Sequence, residues 1–177
     1  MRPFILFLVL LCPLTAGWGM ATAKIDQDVW APLQFLFGEW EGADNSGAGS
    51  GHFSSTVDLQ RKVVVRHNHA QYPPANGRPA YVHDDLMIVY FEGDPTSLKA
   101  IYFDTEGHVI RYVGQITATA QVTFVSEIMP NAPRYRLTYA KLTDGGLSGK
   151  FEIAPPGKPE AFAKYLEWLA RAKGKRP

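Results

Sequence analysis

Imidazole is the side chain that most readily binds a metal or moves a proton near neutral pH, and this chain has five: His52, His67, His69, His83 and His108. His67-x-His69 places two of them on one face of an extended segment, because strand side chains alternate. With His83 as a third ligand from a neighbouring segment, they would leave one coordination position open. The spaced Glu and Gly of a cupin motif do not accompany them. A metal-free alternative uses an acid–base pair, His83 with Asp85 or His108 with Glu152. Asp85 and Arg136 can equally form a structural network, since buried charges must be paired. The chain has no Gly-x-Ser-x-Gly elbow, phosphate loop or Gly-x-Gly-x-x-Gly fingerprint. It therefore names no cofactor and assigns no reaction.

The segments that must carry these residues are short β-branched and aromatic runs separated by turn chemistry. Strands are predicted at Gly38–Gly42, Gly51–Leu59, Lys62–Ala70, Tyr81–Phe91, Leu98–Asp104, His108–Gln115, Gln121–Met129, Arg134–Lys141 and Leu147–Ala154. Breaks such as Gly93-Asp94-Pro95, Thr105-Glu106-Gly107 and Asp144-Gly145-Gly146 supply the backbone reversals. Links this short allow antiparallel neighbours but not parallel crossovers. An all-β, up-and-down antiparallel barrel of about eight to ten strands follows, because closure removes exposed edges. An open sandwich is the alternative.

If strand direction alternates, all five histidines fall at one end, and Arg136 and Glu152 join them there. Along Lys62–Ala70 the histidines align with Val63 and Val65; along Tyr81–Phe91, His83 and Asp85 align with Met87, Val89 and Phe91. His108 aligns with Ile110 and Tyr112. Read this way, the inner face is apolar toward the bottom and polar at the mouth. The expected binding set is His67, His69, His83, Asp85, His108, Tyr112, Arg136 and Glu152. Its ligand would be a small hydrophobic or amphipathic molecule, apolar body deep and polar head at the rim. The Pro-bearing loop Gln71–Ala80 is placed to cover that mouth.

Two flanking elements complete the single domain expected over 24–177. Val29 to Phe37 reads as a short helical plug. Beyond Pro155-Pro156-Gly157, Phe162, Tyr165, Leu166 and Leu169 stand at helical spacing, which predicts an amphipathic helix over about 159–172. Residues 1–23 read as a secretory signal peptide: Arg2, an apolar run from Phe4 to Leu11, and Ala21-Thr22-Ala23 for cleavage. Export to the periplasm or outside the cell is expected, without stable membrane insertion. The one cysteine, Cys12, leaves with that leader, which excludes disulfides, thiolate metal sites and a cysteine nucleophile. Losing Arg2 brings the 18 basic residues level with the 17 acidic ones. Such a balance gives no reason to expect a nucleic-acid partner.

Phe35-Leu36-Phe37-Gly38-Glu39-Trp40-Glu41-Gly42 resembles the opening of the calycin group, which includes lipocalins, fatty-acid-binding proteins and nitrobindin-like barrels. The resemblance implies that Trp40 lies across the closed end of a barrel. Arg66 to Ala70, Val82 to Met87 and Phe151 to Gly157 are similar to segments of an uncharacterised bacterial exported lipocalin-like family. That similarity implies a fold and an exported habit without an activity. Nitrobindin-like barrels hold haem through a late histidine, and no histidine follows His108.

Overall fold

The computed structural model describes residues 28–43, 49–75, 77–117 and 120–174. The leader expected over 1–23, with its cleavage site and Cys12, lies outside them. Ten strands follow in chain order: β1 Gly38–Gly42, β2 Ser50–Asp58, β3 Val63–Tyr72, β4 Tyr81–Phe91, β5 Leu98–Asp104, β6 Val109–Thr117, β7 Gln121–Ser126, β8 Arg134–Lys141, β9 Leu147–Ala154 and β10 Ala163–Ala172. Each pairs antiparallel with its sequence neighbours, and β1 pairs with β10, so the sheet closes into an up-and-down barrel. Nine of these strands lie where alternation and turn residues predict them.

The tenth corrects the sequence reading. Residues expected to form a helix instead form β10, wedged between β9 and β1. Helical spacing and strand alternation coexist here: Leu166, Trp168, Ala170 and Ala172 share one parity, against Glu167, Leu169, Arg171 and Lys173. The edges of β1 and β9 decide between them. A helix would leave two rows of backbone donors and acceptors without ladder partners, whereas a strand satisfies both rows.

Glycine makes the closing strand fit. A Cβ on Gly149, opposite Trp168 in the β9–β10 register, would stand 2.2 Å from the indole. A Cβ on Gly114 would stand 2.6 Å from Leu98. Absent side chains at both places let bulky residues lie across the barrel interior.

The lower barrel is a packed core of Trp30, Leu33, Trp40, Phe53, Met87, Val89, Leu98, Tyr112, Phe124, Tyr139 and Leu147. The expected plug is a 3-10 turn, Ala31–Leu36, that inserts Leu33 and closes the bottom. Trp30 donates its indole N–H to the Arg61 carbonyl at 2.9 Å and packs on Phe91, ring centroids 4.9 Å apart. Trp40 donates to the Leu36 carbonyl at 3.0 Å and stacks on Phe53. These bonds satisfy polar atoms that burial would otherwise leave costly. Among the described residues, no helix is long and apolar enough to cross a membrane.

Candidate functional site

Alternation within β3, β4 and β5 aims one set of side chains into the barrel: Val64, Arg66 and Asn68; His83, Asp85, Met87 and Val89; Leu98, Ala100, Tyr102 and Asp104. Apolar members sit low and polar members sit above them. Asn68 lies directly across the ladder from Asp85 and donates its amide to that carboxylate at 2.9 Å. Arg66, one pleat lower, reaches diagonally to hydrogen-bond the other oxygen. His83 Nε2 lies 3.3 Å from Asp85 and 3.1 Å from the Tyr102 hydroxyl, while Nδ1 lies 2.8 Å from Glu106. A continuous polar wall thus runs from Arg66 to the mouth.

Electrostatics lock this wall into its charged state. Burial opposes ionisation of Asp85, yet the Arg66 guanidinium and the His83 hydrogen bond hold its carboxyl below the usual range. The Asp85 hydrogen bond outweighs burial at His83 and, with Glu106, raises the imidazole to about 9. Burial pushes the Tyr102 phenol far upward, so it stays neutral. His83 and Asp85 are each stabilised in the charged form by the other, which disfavours passing a proton between substrate and this pair. Arg66 and Asp85 are each only 8% exposed. Deeper still, Arg66 Nε and the Tyr139 hydroxyl are buried without a hydrogen-bond partner, although the guanidinium rests over the rings of Phe53 and Tyr139.

The facing wall, from β6 to β10, is aromatic and aliphatic. Ile110, Tyr135, Phe151 and Leu166 point inward by the same alternation. Tyr135 and Phe151 stack at 5.8 Å, and a bulge between Lys164 and Leu166 turns Tyr165 edge-on to Phe151 at 6.1 Å. All four inward residues, like Tyr102 and His83 opposite, are only half-buried although they line the interior. The upper barrel is therefore an open cup, polar on one wall and aromatic on the other. At its lip a hollow of about 660 Å³ lies beside the stacked rings of Tyr72 and Tyr81.

The structure brings together part of the expected set. The register His52 to His69 and Ala70 to His83, with His108 after β5, puts four histidines at the mouth end, while His67, opposite Leu86 at the middle of β4, stands at mid-strand. His83 and Asp85 face inward as predicted, and Tyr112 is buried deep in the core. His67 and His69 face outward, and so does His52, whose ring lies 5.2 Å from His69. His69 is tied to Asp84 at 2.6 Å on the outer surface. The trio His67, His69 and His83 is thereby split across the two sides of the sheet and cannot share an ion. The cause is local: Val63-Val64-Val65 does not reveal its face, and burial of Asp85 draws Arg66 and Asn68 inward.

Arg136 and Glu152 are also misplaced by the sequence reading. They pair with each other across β8 and β9, Nε to Oε2 at 2.6 Å, on the outer face. Phe162 stacks over Arg136 at 4.2 Å, and the pair borders an outer groove of about 400 Å³. Glu152 is consequently out of reach of His108, which hydrogen-bonds Asp104 at 2.8 Å at the rim. Asp85 is neutralised by Arg66 rather than Arg136. The loop after Tyr72 turns through paired Ala75 and Arg78 and is solvent-exposed from Pro73 to Ala75 and from Gly77 to Ala80.

Sequence reasoning missed Arg66, Asn68, Tyr102, Asp104 and Glu106. One signal was present: Tyr72 and Tyr81 flank the loop, and counting inward from that pair sets Asn68 opposite Asp85. The fold and site together define a closed ten-stranded antiparallel barrel with an amphipathic cup. No protein-family model and no curated protein matches the chain.

Proposed function

We propose that this chain is an exported barrel that binds one small amphipathic molecule in its upper cup. The carrying observation is that inward-facing apolar residues Ile110, Tyr135, Phe151 and Leu166 remain open to solvent opposite a wall of fixed charge. Apolar surface left open in a concave site gains free energy when a ligand covers it. The ligand's apolar face would lie on Tyr135 and Phe151, and its polar groups would meet His83 and Tyr102. This divides the ligand by wall, whereas the alternation of the sequence divides it by depth. The calycin resemblance of Phe35 to Gly42 agrees with a carrier role.

The test is native mass spectrometry of mature protein purified gently from its own host. A discrete added mass that Phe151→Asp abolishes supports the reading. A bare protein mass in every preparation, together with no binding of the amphipathic dye anilinonaphthalenesulfonate, contradicts it.

A further inference from the structure

The mouth end of the polar wall gathers His83, Asp104 and Glu106 with one potential ligand atom from each inside a 4.8 Å span. We infer that these three residues form a binding site for a divalent transition-metal ion at the rim. It is a different set from the outward histidines, and it needs no organic molecule in the cup.

The backbone builds the site. Asp104 ends β5 and accepts the His108 amide at 2.8 Å, which fixes the Thr105–Gly107 turn that presents Glu106. Thr105 in turn donates to the Asp84 carbonyl at 3.0 Å, anchoring the turn beside His83. The Asp104 side chain is only 6% exposed.

Three features favour a metal over an incidental cluster. The Nδ1 of His83 faces Glu106 while Nε2 faces Asp85 and Tyr102. Metal-binding imidazoles are commonly oriented in this way, by a carboxylate on the far nitrogen. That carboxylate is itself held by Arg66 and Asn68, so the ring is positioned before any ion arrives. Arg66 pairs with Asp85, whereas among the described residues Asp104 and Glu106 pair only with imidazoles, those of His108 and His83. A divalent cation would take the place of the proton on His83 Nδ1, releasing it to solvent, so that neutral imidazole and the two carboxylates hold the ion. Finally, tetrahedral ligands about 2.1 Å from zinc stand roughly 3.4 Å apart. Glu106, lying 2.8 Å from His83 and exposed, can open that gap by side-chain rotation alone. One nitrogen and two carboxylate oxygens suit zinc or manganese better than calcium, whose sites are built from oxygen.

Chelator-treated protein should be titrated with zinc, manganese and calcium, reading stoichiometry by elemental analysis after dialysis and affinity by calorimetry. One zinc per chain is expected, with calcium at least tenfold weaker. Glu106→Gln changes an exposed turn residue and should weaken zinc at least tenfold. Asp85→Asn should weaken it about 10–100-fold through the orientation of His83. The combined His52→Gln, His67→Gln and His69→Gln variant should bind zinc like the parent. No saturable uptake, undiminished affinity in Glu106→Gln, or loss of binding only in the outward-histidine variant would each overturn the site.

Discussion

Arg66 and Asp85 hydrogen-bond inside the barrel from adjacent strands, diagonally across the Asn68–Asp85 register pair, both shielded from water. Charges so placed offset their lost hydration only while both are present. Their pairing holds the polar wall upright and determines which face of β3 looks inward.

Removing one partner should therefore be worse than removing both. Arg66→Met is expected to cost about 3 kcal/mol, because Asp85 loses its buried guanidinium and keeps only His83 and Asn68, and a second change, Asp85→Leu, to restore part of it. Urea unfolding at unchanged slope reads the difference directly. Equal losses in the single and double variants would show that the pair does not act as a unit.

Closure of the barrel over Trp168 leads to a second expectation. Gly149→Ala forces a methyl group into the indole, 2.2 Å from the position it would take. Overpacking of this kind costs about 1–3 kcal/mol. A lower melting temperature with altered tryptophan fluorescence should result. Gly145→Ala is a control for space, since nothing lies within 4 Å of its added carbon, although its φ of 86° adds backbone strain of its own.

The outer pair gives a dependence on pH. Hydrogen bonds from Arg136, with help from Lys150, hold the Glu152 carboxyl below its ordinary 4.5. A carboxyl lowered on folding adds stability that is complete above its unfolded value and disappears as pH falls through the folded one. Glu152→Gln should thus be less stable than the parent at pH 7, and the gap should narrow below about pH 4.5. Denaturation midpoints measured across that window check the sign. A gap that widens in acid would contradict it.

Ligand binding should separate the inner face of the barrel from the outer one. Phe151→Ala removes the ring that stacks on Tyr135 and is expected to weaken anilinonaphthalenesulfonate binding about tenfold, or ~1.4 kcal/mol. His67→Gln and His69→Gln, on the outer surface, should leave dye affinity unchanged. Fluorescence titration distinguishes these outcomes.

Much of the architecture was legible because turn residues set off nine β-branched and aromatic runs along the chain. β1, β4, β5, β8 and β9 carry the boundaries that alternation assigns them. β10 was not legible locally, since Phe162, Tyr165, Leu166 and Leu169 fit a helix until the open edges of β1 and β9 are considered. The clustering of four histidines at one end followed from strand direction alone. Their facing did not, because three consecutive valines hide the inward side of β3, and one residue of ambiguity exchanges His67 for Arg66. Glu106 lies in a turn, where alternation carries no information. Arg136 and Glu152 were correctly placed near the mouth, but on the wrong side of the sheet.

The cup between the polar and aromatic walls is the proposed entry point for a small molecule. Amide chemical shifts of the isotope-labelled protein, followed during titration with anilinonaphthalenesulfonate, test it most directly. Saturable changes are expected to concentrate at His83, Tyr102, Ile110, Tyr135, Phe151 and Leu166. Changes centred instead on Thr138, Lys150 and Glu167 in the outer groove, with the cup residues unmoved, would contradict it.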